Sequence, residues 1–219
     1  MPCWVKSTSG KTRRGRIKNA RARIEAGYYD APVVLDAILS PRRLDRILAE
    51  LNLCKIGDGN DYRDLVTESL SKILGDVVDS ALSRTEIPAT GGRADIELPL
   101  RTEALDRFPL WDRWAKKYEI HSILIEVKNE KTPATFRDVN QLAGYFSSTK
   151  LSQFGILVAR SGFSRNAYES MASKARDGDS LIIPLRHNEL RELGRASRNG
   201  LKESMEYLRR RETLLLQRL

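Results

Sequence analysis

The spacing of apolar residues predicts helices in the first quarter of the chain. At 30–32 and at 40–41, an Asp or Ser precedes a proline, which is typical of a capped helix start. After the second start, leucine and isoleucine follow the i, i+3, i+4, i+7 spacing of an amphipathic helix, at Leu44, Ile47, Leu48 and Leu51. A turn predicted at 57–60 then separates a basic arm and helical extension, residues 1–56, from a main domain, residues 57–219.

From residue 61 the pattern alternates between helical and extended periodicity. It predicts helices at about 61–75, from after Pro133 to about 147, and at about 164–176, 186–193 and 197–219. It predicts strands at about 77–87, 93–98, 120–129, 154–159 and 180–183, with residues 99–118 as a partly helical insertion. This order indicates an α/β domain with a mixed central sheet flanked by helices.

The strongest strand signal carries two charged residues at its end. An aliphatic run leads directly into Glu126-Val127-Lys128, which leaves no polar face before Glu126 and predicts a strand covered on both sides. Side chains alternate along a strand, so Glu126 and Lys128 share one face. Burying these charges is costly unless they are paired or bind a metal ion, so a structural salt bridge is the alternative interpretation.

A second acidic strand favours the metal interpretation. In the strand around Asp95, Asp95 and Glu97 lie on one face and the apolar residues on the other. If this strand neighbours the first, Asp95 and Glu126 can converge. Two carboxylates and a backbone carbonyl, such as that of Val127, are hard oxygen ligands suited to Mg²⁺ or Mn²⁺. Lys128 can then orient or deprotonate a water molecule, as phosphodiester hydrolysis requires.

The helix after Pro133 adds polar groups. Its predicted buried stripe consists of Phe136, Val139, Ala143 and Phe146. Gln141 and Tyr145 lie one turn apart on the opposite face, with Arg137 and Asp138 beside them. This face is either solvated or aimed at a scissile phosphate.

These residues resemble the signature of the PD-(D/E)XK, or restriction-endonuclease-like, nuclease superfamily. Asp95 followed by Glu126-Val127-Lys128 matches its central motif, and Gln141-x-x-x-Tyr145 is similar to the extra motif of its RecB and lambda-exonuclease branch. Residues 155–167 resemble the strand and helix that follow in Mrr-like restriction enzymes. The resemblance covers roughly residues 61–193 and implies a restriction-endonuclease-like core.

The resemblance implies a role for each matching position. Asp95 and Glu126 would bind the metal ion, Lys128 would position or activate water, and Gln141 and Tyr145 would be auxiliary active-site residues. Two assignments are less direct. The acid expected on the helix before the first core strand would be Glu68, with Asp64 or Asp61 as alternatives. Asp112 is nearer to Glu126 in sequence than Asp95, but its surroundings do not predict a strand.

The net charge of +9 is concentrated at the ends of the chain. The first 23 residues contain eight Lys or Arg and no acid. Such an arm is either a solvated tail or a contact for phosphates, whose neutralisation releases counterions. We expect contacts with nucleic acid from the arm and from two arginines near the site, namely Arg13, Arg14, Arg16, Lys18, Arg21, Arg93 and Arg137.

Composition narrows the setting and the partners. The two cysteines, Cys3 and Cys54, are too few for a disulfide framework or a zinc cluster, and no apolar run approaches the ~18 residues of a membrane span. We therefore expect a cytoplasmic protein without a membrane partner. Trp111, Trp114 and Tyr118 either stack on bases or pack in the core. The terminal helices either support a homodimer or a partner subunit, or cap the domain.

The sequence thus predicts a metal-dependent nuclease acting on DNA, with restriction, anti-phage defence or repair implied by the resemblance alone. Three alternatives remain. The chain could be a nuclease-like module that binds nucleic acid without cutting it, a subunit of a larger assembly, or a nuclease acting on RNA.

Overall fold

The computed structural model describes residues 42–79, 82–89, 92–101, 103, 108–149 and 152–217. Its helices are α1 (Arg42–Leu53), α2 (Gly59–Ile73), α3 (Pro109–Tyr118), α4 (Phe136–Thr149), α5 (Arg165–Asp177), α6 (His187–Ala196) and α7 (Leu201–Leu216). Its strands are β1 (Arg84–Ala89), β2 (Gly92–Pro99), β3 (Ser122–Lys128), β4 (Phe154–Ala159) and β5 (Leu181–Arg186).

The strands form one mixed sheet in the order β1-β2-β3-β4-β5. β2 is antiparallel to both β1 and β3, whereas β3, β4 and β5 run parallel to one another. The aliphatic strands β3 and β4 lie towards the middle and are buried along nearly their whole length, as expected for strands covered on both faces. The predicted mixed α/β architecture is confirmed.

Helices cover both faces of this sheet. Phe154 and Gly155 are consecutive in β4, so their side-chain directions are opposite. The rings of Trp111 and Trp114 in α3 pack against Phe154, with centroid separations of 5.5 and 5.1 Å. On the other face, Phe146 of α4 lies so close that a Cβ placed on Gly155 would come within 2.9 Å of it. Helices α3 and α4 therefore lie on opposite faces of the sheet.

The insertion predicted at 99–118 contributes to the core. Trp111, Trp114 and Tyr118 lie on α3 and are fully buried, so they pack inside the domain instead of presenting rings to bases. Their helical spacing places all three on the side of α3 that faces the sheet. Core packing is therefore the correct one of the two interpretations.

Replacing Trp111 with alanine is expected to lower the free energy of unfolding by about 3–5 kcal/mol, since it removes a buried aromatic side chain. Trp111 packs against Trp114 and Phe154, and its indole N–H donates to the sulfur of Met205. Urea unfolding measures the change. Leu53→Ala is the control, because Leu53 is 81% exposed and its loss should change stability by less than about 0.5 kcal/mol. Unchanged stability in Trp111→Ala, together with weaker nucleic-acid binding, would favour base stacking after all.

Two predicted elements differ from the structure. The strand predicted at 77–87 is wrong in its first part: Val77 and Val78 follow α2 in a turn, and β1 begins at Arg84. Their apolar character reflects complete burial, and Val78 forms only an isolated bridge to Leu100. The helix predicted at 197–219 is interrupted by Gly200, whose φ of 105° cannot continue a right-handed helix, so α7 begins at Leu201.

The apolar positions of α7 pack within the chain. Met205, Leu208 and Leu215 are buried in the common core, and Arg113 of α3 pairs with Glu212 of α7 at 2.6 Å. This arrangement supports the interpretation that the last helix caps the domain. The last apolar residue of the predicted helix, Leu219, lies outside the described residues.

Helix α1 also joins the common core, through Leu44, Ile47, Leu48 and Leu51. The described residues from Leu44 onward belong to one compact unit, so the packed part of the chain begins before the turn at 57–60. The functional division between 56 and 57 stays a prediction, because the basic arm lies outside the described residues. Within the described part of the chain, no helix has the length and apolarity needed to cross a bilayer.

Candidate active site

The neighbouring strands β2 and β3 bring Asp95 and Glu126 together. Ile96 lies opposite Ile125 in the antiparallel register. Asp95, one residue before Ile96, therefore lies next to Glu126, one residue after Ile125. Since side chains alternate, both carboxylates leave the sheet on the same face. The predicted convergence of two acids that are distant in sequence is therefore present in the fold.

The carboxylate of Asp95 contacts the backbone of β3 and a side chain of α2. The backbone N–H of Val127 donates to its Oδ2 at 2.8 Å, and the guanidinium of Arg63 lies 3.9 Å from its Oδ1. In an extended strand, the N–H and C=O of one residue point to the same side. The Val127 carbonyl is therefore directed towards the Asp95 side of β3, where it was predicted to act as a ligand.

Glu126 is nearly inaccessible to solvent, with 3% of its surface exposed. Its Oε1 accepts hydrogen bonds from Lys128 Nζ at 2.8 Å and from Gln141 Nε2 at 3.3 Å. Its Oε2 is also buried and has no hydrogen-bond partner among the described residues. An unsatisfied buried carboxylate oxygen is costly, and it marks a position where a cation would be favourable.

The pKa of Glu126 is raised to about 7. Burial is the main cause and the negative charge of Asp95 adds to it, whereas the positive charge of Lys128 opposes both. The carboxyl group is therefore poised between its two protonation states near neutral pH. A divalent cation beside it would stabilise the ionised form.

Lys128 interacts with two carboxylates. Its Nζ lies 2.8 Å from Glu126 Oε1 and 3.4 Å from Asp138 Oδ1. Burial lowers the pKa of Lys128, but the adjacent charges of Glu126 and Asp138 outweigh burial, so the pKa lies above its ordinary value. The side chain is therefore an ammonium ion at neutral pH.

The polar face of α4 completes the site, with a correction to the predicted stripe. Gln141 donates through Nε2 both to Glu126 and to the hydroxyl of Tyr145, the latter at 2.6 Å. Tyr145, predicted to lie away from the core, is only 2% exposed, whereas Phe136, predicted to be buried, is 43% exposed. The ring of Tyr145 packs in the core while its hydroxyl meets Gln141, which an amphipathic side chain allows.

The acid predicted on the first helix is not settled by this geometry. Glu68 is partly buried on α2, and its role as a ligand stays a prediction. Of the alternatives, Asp64 has a side chain that is 65% exposed and Asp61 is also exposed. Arg63 of α2 places a cation 3.9 Å from Asp95 Oδ1.

The predicted nucleic-acid contacts lie mostly outside the described residues. This holds for Arg13, Arg14, Arg16, Lys18 and Arg21. Arg93 belongs to β2, but its side chain is not described. Arg137 is exposed in the first turn of α4, the helix that also carries Gln141.

Two residues of the site were not assigned a role from the sequence. Arg63 was missed, and Asp138 was named beside Gln141 without a role. A signal for Asp138 was available, since Thr135-x-x-Asp138 resembles a capping box at a helix start. No comparable signal exists for Arg63, because a long side chain on a helix can reach groups that the helical spacing does not indicate.

The residues present fit a divalent cation. Mg²⁺ commonly binds to one or two carboxylates and keeps several water molecules. Asp95 and Glu126 supply two hard oxygen donors, and the buried Oε2 of Glu126 lacks a hydrogen-bond partner among the described residues. Among the described residues, no group of three or more His, Cys, Asp or Glu side chains is arranged for a metal ion.

Comparison of the chain with protein-family models, with curated proteins and with solved structures found no match.

Proposed function

We propose that the chain is a metal-dependent nuclease that hydrolyses phosphodiester bonds in DNA, with Mg²⁺ or Mn²⁺ held by Asp95 and Glu126 and, as a third ligand, the Val127 carbonyl. The observation that carries this proposal is the buried Oε2 of Glu126, which has no hydrogen-bond partner among the described residues. It lies on the same sheet face as Asp95 and beside the ammonium of Lys128. The restriction-endonuclease-like core inferred from the resemblance agrees with the mixed sheet on which these residues lie.

The ion would polarise a phosphodiester group and make a water molecule more acidic. Lys128 carries a positive charge at neutral pH, so its part is to donate hydrogen bonds to a phosphate oxygen or to the attacking water. This favours an orienting role for Lys128 over one as a base. Gln141 holds Glu126 and is itself held by Tyr145, so both residues keep the carboxylate in a fixed orientation.

Incubation with linear, circular and single-stranded DNA and with RNA, in Mg²⁺, Mn²⁺ and EDTA, tests the proposal. We expect DNA cleavage with either ion and none in EDTA. Binding without cleavage under all conditions would favour the non-cutting module, and cleavage of RNA alone would change the substrate. Cleavage of linear but not circular DNA would indicate an exonuclease.

For the basic arm, deletion of residues 1–23 is expected to weaken DNA binding and to reduce its dependence on salt, since fewer phosphates would be neutralised. Loss of all eight basic contacts would lower the slope of log K against log[salt] by up to about seven. Fluorescence anisotropy at several salt concentrations measures the slope. An unchanged slope would identify the arm as a solvated tail.

A further inference from the structure

Asp138 binds the same ammonium as Glu126, but from a different element of the fold. Lys128 projects from the end of β3, whereas Asp138 lies in the first turn of α4. The side chains of Lys128 and Asp138 are 18% and 23% exposed, so this contact is largely shielded from solvent. An ammonium has three N–H donors, so it can serve two carboxylates at once.

The backbone of α4 holds the Asp138 carboxylate in place. Its Oδ2 accepts from the backbone N–H of Thr135 at 2.7 Å and from the hydroxyl of Thr135 at 3.2 Å. Capping the helix therefore uses one carboxylate oxygen, and the other, Oδ1, faces Lys128 at 3.4 Å. The helix start also favours a negative charge at this position.

A divalent ion at Glu126 would compete with Lys128 for the same carboxylate. The two positive charges would repel each other, and in the absence of a second carboxylate the flexible lysine side chain would turn towards solvent. Asp138 is already in contact with the ammonium and cannot follow the ion, because Thr135 fixes it to α4.

We propose that Asp138 is a positioning residue, which holds the Lys128 ammonium at the site when Glu126 binds a divalent ion. This proposal rests on the nuclease function proposed above, in which Glu126 is a metal ligand. Asp138 acts through Lys128 and needs no contact with substrate. Without the ion Lys128 contacts both carboxylates, and with the ion bound it would keep the contact with Asp138.

Reactivity of the Lys128 amine tests this without relying on cleavage. The full chain is labelled with a trace of an acetylating reagent, in EDTA or in Mg²⁺ without nucleic acid, and Lys128 is followed by mass spectrometry. In Mg²⁺, Asp138→Asn is expected to label about fivefold faster than the wild-type chain, as for loss of one partly shielded ion pair. In EDTA the difference between the two should be smaller, because Glu126 still contacts the ammonium at 2.8 Å. The Asn side chain keeps an acceptor for Thr135, so the helix start is preserved.

Two further variants complete the design. Asp138→Glu keeps both the charge and an acceptor for Thr135, so it should restore slow labelling in Mg²⁺. Asp112→Asn removes the carboxylate from a similar pair, Asp112 and Lys116, in the first turn of α3. It should leave Lys128 labelling and cleavage unchanged. In cleavage assays, Asp138→Asn should lower kcat on the order of 10- to 100-fold with little change in KM, as misplacement of a catalytic group does.

Equal labelling of Lys128 in the wild-type chain and Asp138→Asn in Mg²⁺ would overturn the positioning role, whatever the cleavage rates. A labelling difference as large in EDTA as in Mg²⁺ would also overturn it, because it would show that the contribution of Asp138 does not depend on the ion. If the wild-type chain cleaves no nucleic acid but the Mg²⁺-dependent difference is found, the nuclease function fails and the positioning role stands.

Discussion

Replacing Asp95 with asparagine is expected to lower kcat for DNA cleavage by about 10³-fold, because the contribution of a bound ion to catalysis is worth several kcal/mol. Asparagine retains an oxygen that can accept from the Val127 N–H, so β2 and β3 should keep their contact. It removes the charge that, with Glu126, would hold the cation. Single-turnover cleavage in Mg²⁺ measures the loss, and anisotropy in EDTA should give wild-type DNA affinity.

Asp112→Asn is the matched control for this variant. Asp112 is the competing candidate from the sequence, and in the structure it forms a surface pair with Lys116 at 2.8 Å. It should cleave like the wild-type chain. Wild-type activity in Asp95→Asn, or a comparable loss in Asp112→Asn, would refute the assignment of Asp95.

Replacing Glu126 with glutamine is expected to change how stability depends on pH. In the metal-free protein, burial and the charge of Asp95 raise the pKa of Glu126 from 4.5 to about 7. The folded state then binds this proton more tightly than the unfolded chain, so the stabilising contribution is complete below pH 4.5 and is lost as pH rises through 7. The loss amounts to roughly 3–3.5 kcal/mol, because each tenfold difference in proton affinity between the two states corresponds to about 1.4 kcal/mol.

Glutamine cannot ionise, so Glu126→Gln should lack this loss and be more stable than the wild-type chain at pH 8 in EDTA. Urea unfolding at pH 5 and pH 8 measures the difference. Mg²⁺ should raise the Tm of the wild-type chain more at pH 8 than at pH 5, and should leave the variant nearly unchanged. Parallel pH profiles for the two proteins in EDTA would contradict the burial of an ionisable group at this position.

Local periodicity could predict most of the central sheet and the core of the site. Strand alternation places Glu126 and Lys128 on one face, and the separation of four residues places Gln141 and Tyr145 together on a helix. The sequence could not show that β2 pairs with β3, so the convergence of Asp95 and Glu126 was predicted only on the condition that these strands are neighbours. The register that sets Ile96 opposite Ile125 supplies the missing step.

The errors arose where tertiary packing overrides periodicity. Tyr145 has a polar tip and an apolar ring, and periodicity alone could not show that the ring is buried while the hydroxyl meets Gln141. Val77 and Val78 have strong strand propensity, yet they are buried in a turn after α2. The contact of Arg63 with Asp95 depends on the docking of α2 beside β2, which no short segment encodes.

The arrangement of charges also favours the proposed metal site over a salt bridge alone. A structural pair would need one carboxylate for Lys128, whereas Glu126 and Asp138 both contact this ammonium. In addition, Oε2 of Glu126 has no hydrogen-bond partner in the described ranges of the chain. Such an excess of buried acceptor capacity is unfavourable for stability by itself and is expected where a cation binds.

A crystal structure of the protein soaked in Mn²⁺, with the ion located by its anomalous scattering, tests the central claim most directly. We predict one ion coordinated by carboxylate oxygens of both Asp95 and Glu126, at about the 2.0–2.2 Å typical of small divalent cations. An ion coordinated elsewhere, or none at these two carboxylates at saturating Mn²⁺, would contradict the claim.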